Sequence, residues 1–421
     1  MKSSQFRITL SVAFLVALLP VLTLTVGGGS ALFYLLFLVS IGVIATSGEY
    51  RTQILHPYRW LIAAYCLSIA TILLSQTING LWEAPAIERG LRIGLGFPCL
   101  LAAFLLIDRD RLRHFIWGSL VAGVVSTAIV CYLAGPTLQR PPTPQFNAVG
   151  YSNLMLLMAV LTLFSLGWQL TRHPRTERAI KIIVAAVTVL GFVLTQTRTG
   201  WMAIPVFALI GITLAGWLQR PQRALAALVG IGVVALAIGA ASPALRDRVT
   251  QGVQEIHQCL TVDPTADTSM CIRLQLWGTA WRMTKNAPWS GSGERDGFQE
   301  ALQQGVATGQ VSSFVAHDFG EPHNDLLMAL STYGAMGGAA LLALYLAPAW
   351  VFIRRMRRSV PQVQRVAAAM GLAVCLGFAV FGLTELMFRG MRTLSLYVTF
   401  VALFVALSAP ALDPSKRSAS R

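Results

Sequence analysis

Three basic residues sit where basic residues are expensive, and their settings suit one kind of chemistry. Arg198 lies in LTQTRTGWMAIP, between two apolar runs. A guanidinium there needs a partner or a wet cavity, which makes it a functional candidate. The plainer alternative is an interfacial arginine reaching lipid headgroups. Arg273 opens the stretch RLQLWGTAWRMTKNAPWSGSG, in which Trp277 and Trp281 follow at four-residue spacing. On a helix the three share a face, and by itself that pattern fits an amphipathic interfacial helix slightly better than a binding site. His323 precedes a long apolar run in GEPHNDLLMALSTYGAMGG. Pro322 cannot occupy a helix interior and Asn324 and Asp325 are good caps, so His323 is expected at a helix N-terminus. That end favours anions such as phosphate, and its potential is expected to lower the imidazole pKa and keep the ring neutral. His317, in VAHDFG, competes for the same role. Two arginines can grip a diphosphate through forked, charge-assisted hydrogen bonds, and a neutral histidine can take a proton from an attacking hydroxyl. This is equipment for group transfer from a diphosphate-linked donor, because fixed arginines favour the charge that gathers on the leaving group. Glu385 is a single acidic residue near a span end, expected to pair structurally with Arg389 or Arg392.

Those residues need elements to hold them. The chain has 421 residues, of which 55% are hydrophobic and 12% charged, about half the charged share of an ordinary soluble domain. Such a composition excludes a disordered chain and a disulfide scaffold, and it leaves a polytopic membrane protein. A bilayer core takes roughly 20 apolar residues in a helix. Apolar stretches of that kind are expected as twelve spans at 7–26, 31–47, 58–78, 90–107, 113–135, 150–170, 179–197, 199–218, 224–241, 324–353, 366–388 and 392–409. The runs are continuous and not alternating, so the expected fold is all-α. With the N-terminus inside, most of the 33 Lys and Arg residues fall in cytoplasmic segments, both termini are cytoplasmic, and Arg198, Arg273 and His323 face outward. The net charge of +15 is then mainly a topology signal, and nucleic acid is not implied.

The expected organisation is helices 1–9 over 1–241, a large outer loop with amphipathic helices over 242–323, helices 10–12 over 324–409 and a basic tail at 410–421. Cys259 and Cys271 both lie in the outer loop, where an oxidising compartment would allow a disulfide. The other four cysteines fall in spans, where packing explains them, and no Cys/His spacing suggests a metal site.

At these residues the sequence resembles the O-antigen ligase family, within the O-antigen ligase and polymerase superfamily. TQTRTGWMA at 195–203 is similar to the family's arginine motif at a helix end. RLQLWGTAWRMTKNAPWSGSG at 273–293 is similar to its Arg–Trp–Ala–Asn-Pro–Gly-x-Gly motif, and HNDLLMALSTYGAMGG at 323–338 to its His-Asn motif. The likeness is strong over about 190–340, whereas the first 150 residues match in hydropathy only. It implies a GT-C-type glycosyltransferase of the bacterial inner membrane, inverting and metal-independent, with no cofactor and a periplasmic active site. The implied donor is a glycan on undecaprenyl diphosphate, and the implied acceptor is a hydroxyl of lipid A core oligosaccharide. By motif position His323 would be the base, Arg198 and Arg273 would bind the donor diphosphate, and Asn324, His317 and Arg389 are candidates for support. A polymerase would share the donor and differ in acceptor. A transporter of lipid-linked oligosaccharides is the alternative of another class, but candidate charges at the outer surface, away from the midplane, count against it.

Overall fold

A computed structural model describes residues 2–46, 54–135, 141–144, 146–241, 243–294, 297–357 and 359–410. Every regular element among them is helical. In chain order these are α1 (Lys2–Leu24), α2 (Gly29–Ala45), α3 (Arg59–Asn79), α4 (Ala84–Leu106), α5 (Arg109–Ala134), α6 (Ala148–Phe164), α7 (Pro174–Leu194) and α8 (Thr199–Leu214). They continue with α9 (Pro221–Ala241), α10 (Pro243–Thr261), α11 (Ser269–Asn286), α12 (Gly297–Ala307), α13 (Ser313–Asp318), α14 (Asp325–Arg355), α15 (Gln362–Phe381) and α16 (Met391–Ser408).

Each of the twelve expected apolar stretches falls on a helix. Among the described residues, 7 helices are long and apolar enough to cross a membrane, and α1, α2 and α8 carry shorter apolar segments. The expected tail at 410–421 lies, beyond residue 410, outside the described residues. The core is a bundle in which α14 packs on α3 and α15, α16 on α15 and α4, and α7 on α5 and α6. α16 is enclosed nearly all round.

One end of the bundle is basic. Arg109 donates to the carbonyls of Ala409 (2.9 Å) and Pro410 (2.8 Å), and Arg355 to Val405 O (2.6 Å) and Ser408 Oγ (2.9 Å). Arg365 donates to Leu214 O at 2.8 Å. These guanidiniums satisfy the carbonyls that helix C-termini leave without partners.

The opposite end carries α10–α13. α11 lies against α14 and supports α10 and α12. Leu276, Ala280, Met283, Phe298, Leu302 and Val315 give α11, α12 and α13 a small core of their own. A disulfide joins Cys259 at the end of α10 to Cys271 in α11, a pairing that the sequence left open.

The segment after α11 docks into a break in α14. Gly334 has φ 66° and ψ −158°, a conformation open essentially to glycine alone. The amides of Ser292 and Gly293 donate to the carbonyls of Ser331 (2.9 Å) and Thr332 (3.0 Å), and Ala335 N donates to Pro288 O (2.7 Å). Arg89 of α4 and the Tyr333 hydroxyl both bond the Glu294 carboxylate, closing the joint. Within the Gly-x-Gly of this motif, Gly291 is the residue that close backbone approach requires, since a Cβ there would lie 2.2 Å from the Thr332 carbonyl carbon.

One boundary differs from expectation. The stretch 366–388 reads as a continuous span, but α15 ends at Phe381 and a turn runs to Gly390. Asp325 is the reason: its carboxylate accepts the amides of Met387 (3.1 Å) and Phe388 (3.2 Å), and its own amide donates to Gly382 O (2.7 Å). Backbone groups that would have continued a helix are taken up by a neighbouring helix start.

Candidate functional site

His323 is the last residue before the cap of α14. Asn324 caps that helix by accepting the Leu327 amide (2.9 Å), while its Nδ2 donates to Leu383 O (2.9 Å). Cap and turn are therefore fastened together, and the turn delivers Glu385 to His323. The Nδ1 to Oε1 distance is 3.4 Å. His323 has φ 47°, in the left-handed region that costs a residue with a Cβ. Its neighbours hold it there. The Trp277 indole donates to Pro322 O (3.0 Å), Asp325 N is tied to Gly382, and Phe319 meets the imidazole edge-to-face at 5.9 Å.

The Glu385 carboxylate is fixed from a third direction. Its Oε2 accepts Asn147 Nδ2 at 2.6 Å, and Oε1 accepts the Leu386 amide at 3.1 Å. Asn147 is itself the cap of α6, accepting Gly150 N at 2.8 Å, so its amide orientation is set. Glu321 places a second carboxylate 3.9 Å from His323 Nδ1, and Arg389 Nε holds it at 3.2 Å. Ligand atoms of Glu321, His323 and Glu385 lie within 4.8 Å of one another. Each carboxylate already has donors, Arg389 for one and Asn147 with Leu386 for the other, so the trio is satisfied as an ion-pair network.

Electrostatics around the imidazole depart from the sequence expectation. Burial, the largest influence, pulls the His323 pKa down. The Glu385 hydrogen bond and the charges of Glu385 and Glu321 outweigh it, so the pKa stands above its ordinary value, with Arg273 opposing. The helix N-terminus was expected to lower it, and two carboxylates reverse that. Burial pushes Glu385 up, but His323, Asn147 and the Leu386 amide bring its carboxyl below the usual range.

The predicted residues are distributed as follows. Arg273 lies half-buried on α11, one turn from Trp277, and is among the charges acting on His323. The expected helical face therefore exists and points at the His323 loop, while Trp281 at its far end is half exposed beneath Lys285. Arg198 follows Gln196, which has φ 55°, and sets its guanidinium against Gly252 of α10; an added Cβ there would lie 2.2 Å from Arg198 Nη1. Thr197 bonds Ser152 of α6 at 2.6 Å. Ser152 is five residues from Asn147, or about 7.5 Å along the helix. One helix thus links the Arg198 segment to the Glu385–His323 pair. His317 is exposed and bonded to Asp318 at 2.8 Å, outside this cluster. Arg389 joins through Glu321 and not through Glu385, and Arg392 lies over the Phe146 ring. The sequence marked Glu385 only as a lone acid near a span end with an expected arginine partner, and Asn147, a cap after a proline-rich stretch, carried no local signal.

Residues 182–342 match the family model described as O-antigen ligase. An uncharacterized protein of Haemophilus influenzae (strain ATCC 51907 / DSM 11121 / KW20 / Rd) is 24% identical over 303 residues, covering 70% of this chain and 73% of the relative. The matched segment contains Arg198, Arg273 and His323, and leaves Asn147 and Glu385 outside.

Proposed function

We propose that this chain, a member of the O-antigen ligase family through residues 182–342, transfers a glycan from undecaprenyl diphosphate to a hydroxyl of lipid A core oligosaccharide. The observation that carries this reading is His323 at the start of α14, with Arg273 acting on it from the facing helix. In the reaction the acceptor oxygen bonds to the anomeric carbon on the face opposite the diphosphate. The carbon–oxygen bond to the diphosphate breaks, and His323 receives the hydroxyl proton. Arg198 and Arg273 bind the diphosphate and favour the charge it gains on leaving. Asn324 supports the base through its cap, and Arg389 by holding Glu321.

The protein is read as multi-pass in a bacterial inner membrane, with the site periplasmic. The basic end formed around Arg109, Arg355 and Arg365 supports a cytoplasmic assignment for that face. The GT-C architecture belongs to the same proposal.

The test is transfer by purified protein in nanodiscs, with lipid-linked glycan, lipid A core and EDTA, read on a gel. A lipopolysaccharide ladder that survives EDTA and is lost in His323→Ala supports the reading. Arg198→Ala and Arg273→Ala should retain folding and raise the donor concentration needed. Longer lipid-linked glycan formed without core would replace the ligase reading with a polymerase, and wild-type turnover in all three variants would overturn the site.

A further inference from the structure

We propose that Glu385, held by Asn147, is the residue that positions His323 and makes it an effective base, so that the centre is assembled from three distant stretches of chain. This rests on the reading of His323 given above. The geometry has a direction. Glu385 Oε1 lies 3.4 Å from Nδ1, so the proton of a neutral ring belongs on Nδ1 and the lone pair on Nε2. Asn147 prevents the carboxylate from turning away, since its own amide is locked by the α6 cap. Glu321 is the weaker claimant: it is farther away at 3.9 Å, more exposed, and engaged by Arg389.

The charged groups facing His323 are Glu385 from the turn before α16, Glu321 from its own loop, Arg273 from α11 and Arg389 through Glu321; α6 contributes the neutral Asn147. When the acceptor O–H bond breaks and its oxygen joins the anomeric carbon, the proton passes to Nε2 and the diphosphate leaves with the bonding pair. The ring then becomes an imidazolium, and the fixed carboxylate beside Nδ1 stabilises it as it forms. The strained backbone at His323 fits this role: φ 47° brings the ring against Glu385, and Trp277, Asn324 and Asp325 hold the segment in that form.

The experiment measures kcat, donor KM and the pH–rate profile of full-length protein in nanodiscs for wild type, Glu385→Gln, Glu385→Asp, Asn147→Ala and His323→Ala. Wild-type kcat should rise with pH as His323 loses its proton, with a midpoint above 6.5, its ordinary value. Glu385→Gln should lower kcat by about 10²–10⁴-fold, the range of a general-base contribution, with donor KM little changed. It should also move the midpoint to lower pH, because the charge that holds the proton on the ring is gone. Glu385→Asp should recover most of the rate. Asn147→Ala should shift the profile in the same sense by less, and it carries the readout if Glu385→Gln fails to fold. A purely structural role would lower stability and rate together and leave the midpoint in place, which would overturn the proposal. Wild-type kcat and profile in Glu385→Gln, beside an inactive His323→Ala, would also overturn it while leaving the assigned base intact. An active His323→Ala would instead remove the reading beneath it.

Discussion

Gly291→Ala should undock the segment that follows α11, and Gly309→Ala should not. Both glycines have φ 68°. Both substitutions therefore carry the left-handed cost of a Cβ, about 1–2 kcal/mol. They differ in what the Cβ would meet. At Gly309 nothing lies within 4 Å, whereas at Gly291 the new atom would sit 2.2 Å from the Thr332 carbonyl carbon and 2.3 Å from its oxygen. Those are backbone atoms of α14, so no flexible side chain can give way. Relief requires the segment to lift, which breaks the bonds from Ser292 N to Ser331 O and from Gly293 N to Thr332 O. The segment must therefore either stay docked and bear an overpacking cost of about 1–3 kcal/mol or lift and give up two bonds at about 1 kcal/mol each, so the Gly291 substitution costs roughly 1–3 kcal/mol beyond the shared cost. That is about one to two orders of magnitude in the docking equilibrium, since each 1.4 kcal/mol is about tenfold. Hydrogen exchange in nanodiscs should show peptides covering 290–294 exchanging faster by about that factor in Gly291→Ala and near wild type in Gly309→Ala. Transfer should fall in the first variant, because α11 presents Arg273 and Trp277 to His323. Equal protection in the two variants would refute the account of this joint.

Two further outcomes follow from the outer helices and from the bundle's basic end. Replacing both Cys259 and Cys271 with serine should destabilise the α10–α11 pair by about 2–3 kcal/mol, the scale for a short closed loop, seen as faster limited proteolysis between them; unchanged digestion would count against a structural role. A membrane-impermeant maleimide should label Ser313→Cys in intact spheroplasts and Gln362→Cys only after lysis, since both positions are exposed and lie at opposite ends of the bundle; the reverse pattern would invert the proposed topology.

The helical bundle was legible because its signal is repetitive: long apolar runs, broken by basic clusters, need no knowledge of tertiary contacts. Arg273 with Trp277 was legible for a similar reason, since four-residue spacing fixes a common face whatever that face meets. What the sequence could not display was the effect of Asp325. Leu383, Leu386, Met387 and Phe388 look like the end of a span, and only a carboxylate arriving from another helix turns the amides of Met387 and Phe388 aside. The sign of the His323 shift was hidden for the same reason. A helix start argues for a lowered pKa, but the carboxylates that raise it come from Glu321, close in sequence, and from Glu385, sixty-two residues away.

The segment 182–342 contains both arginines and the histidine, yet the carboxylate nearest the imidazole lies outside it. That carboxylate, Glu385, arrives on the α15–α16 turn, and the turn is shaped by Asp325, one of the segment's own residues. Its other support, Asn147, caps α6, which also meets the Arg198 segment through Ser152. A chain with the three motifs but with α6 shifted by a turn would keep every recognised residue and still misplace the Glu385 carboxylate. The surroundings of His323 are therefore set by helices outside the matched segment, since the geometry of α6 and of the α15–α16 turn decides where the Glu385 carboxylate meets the imidazole.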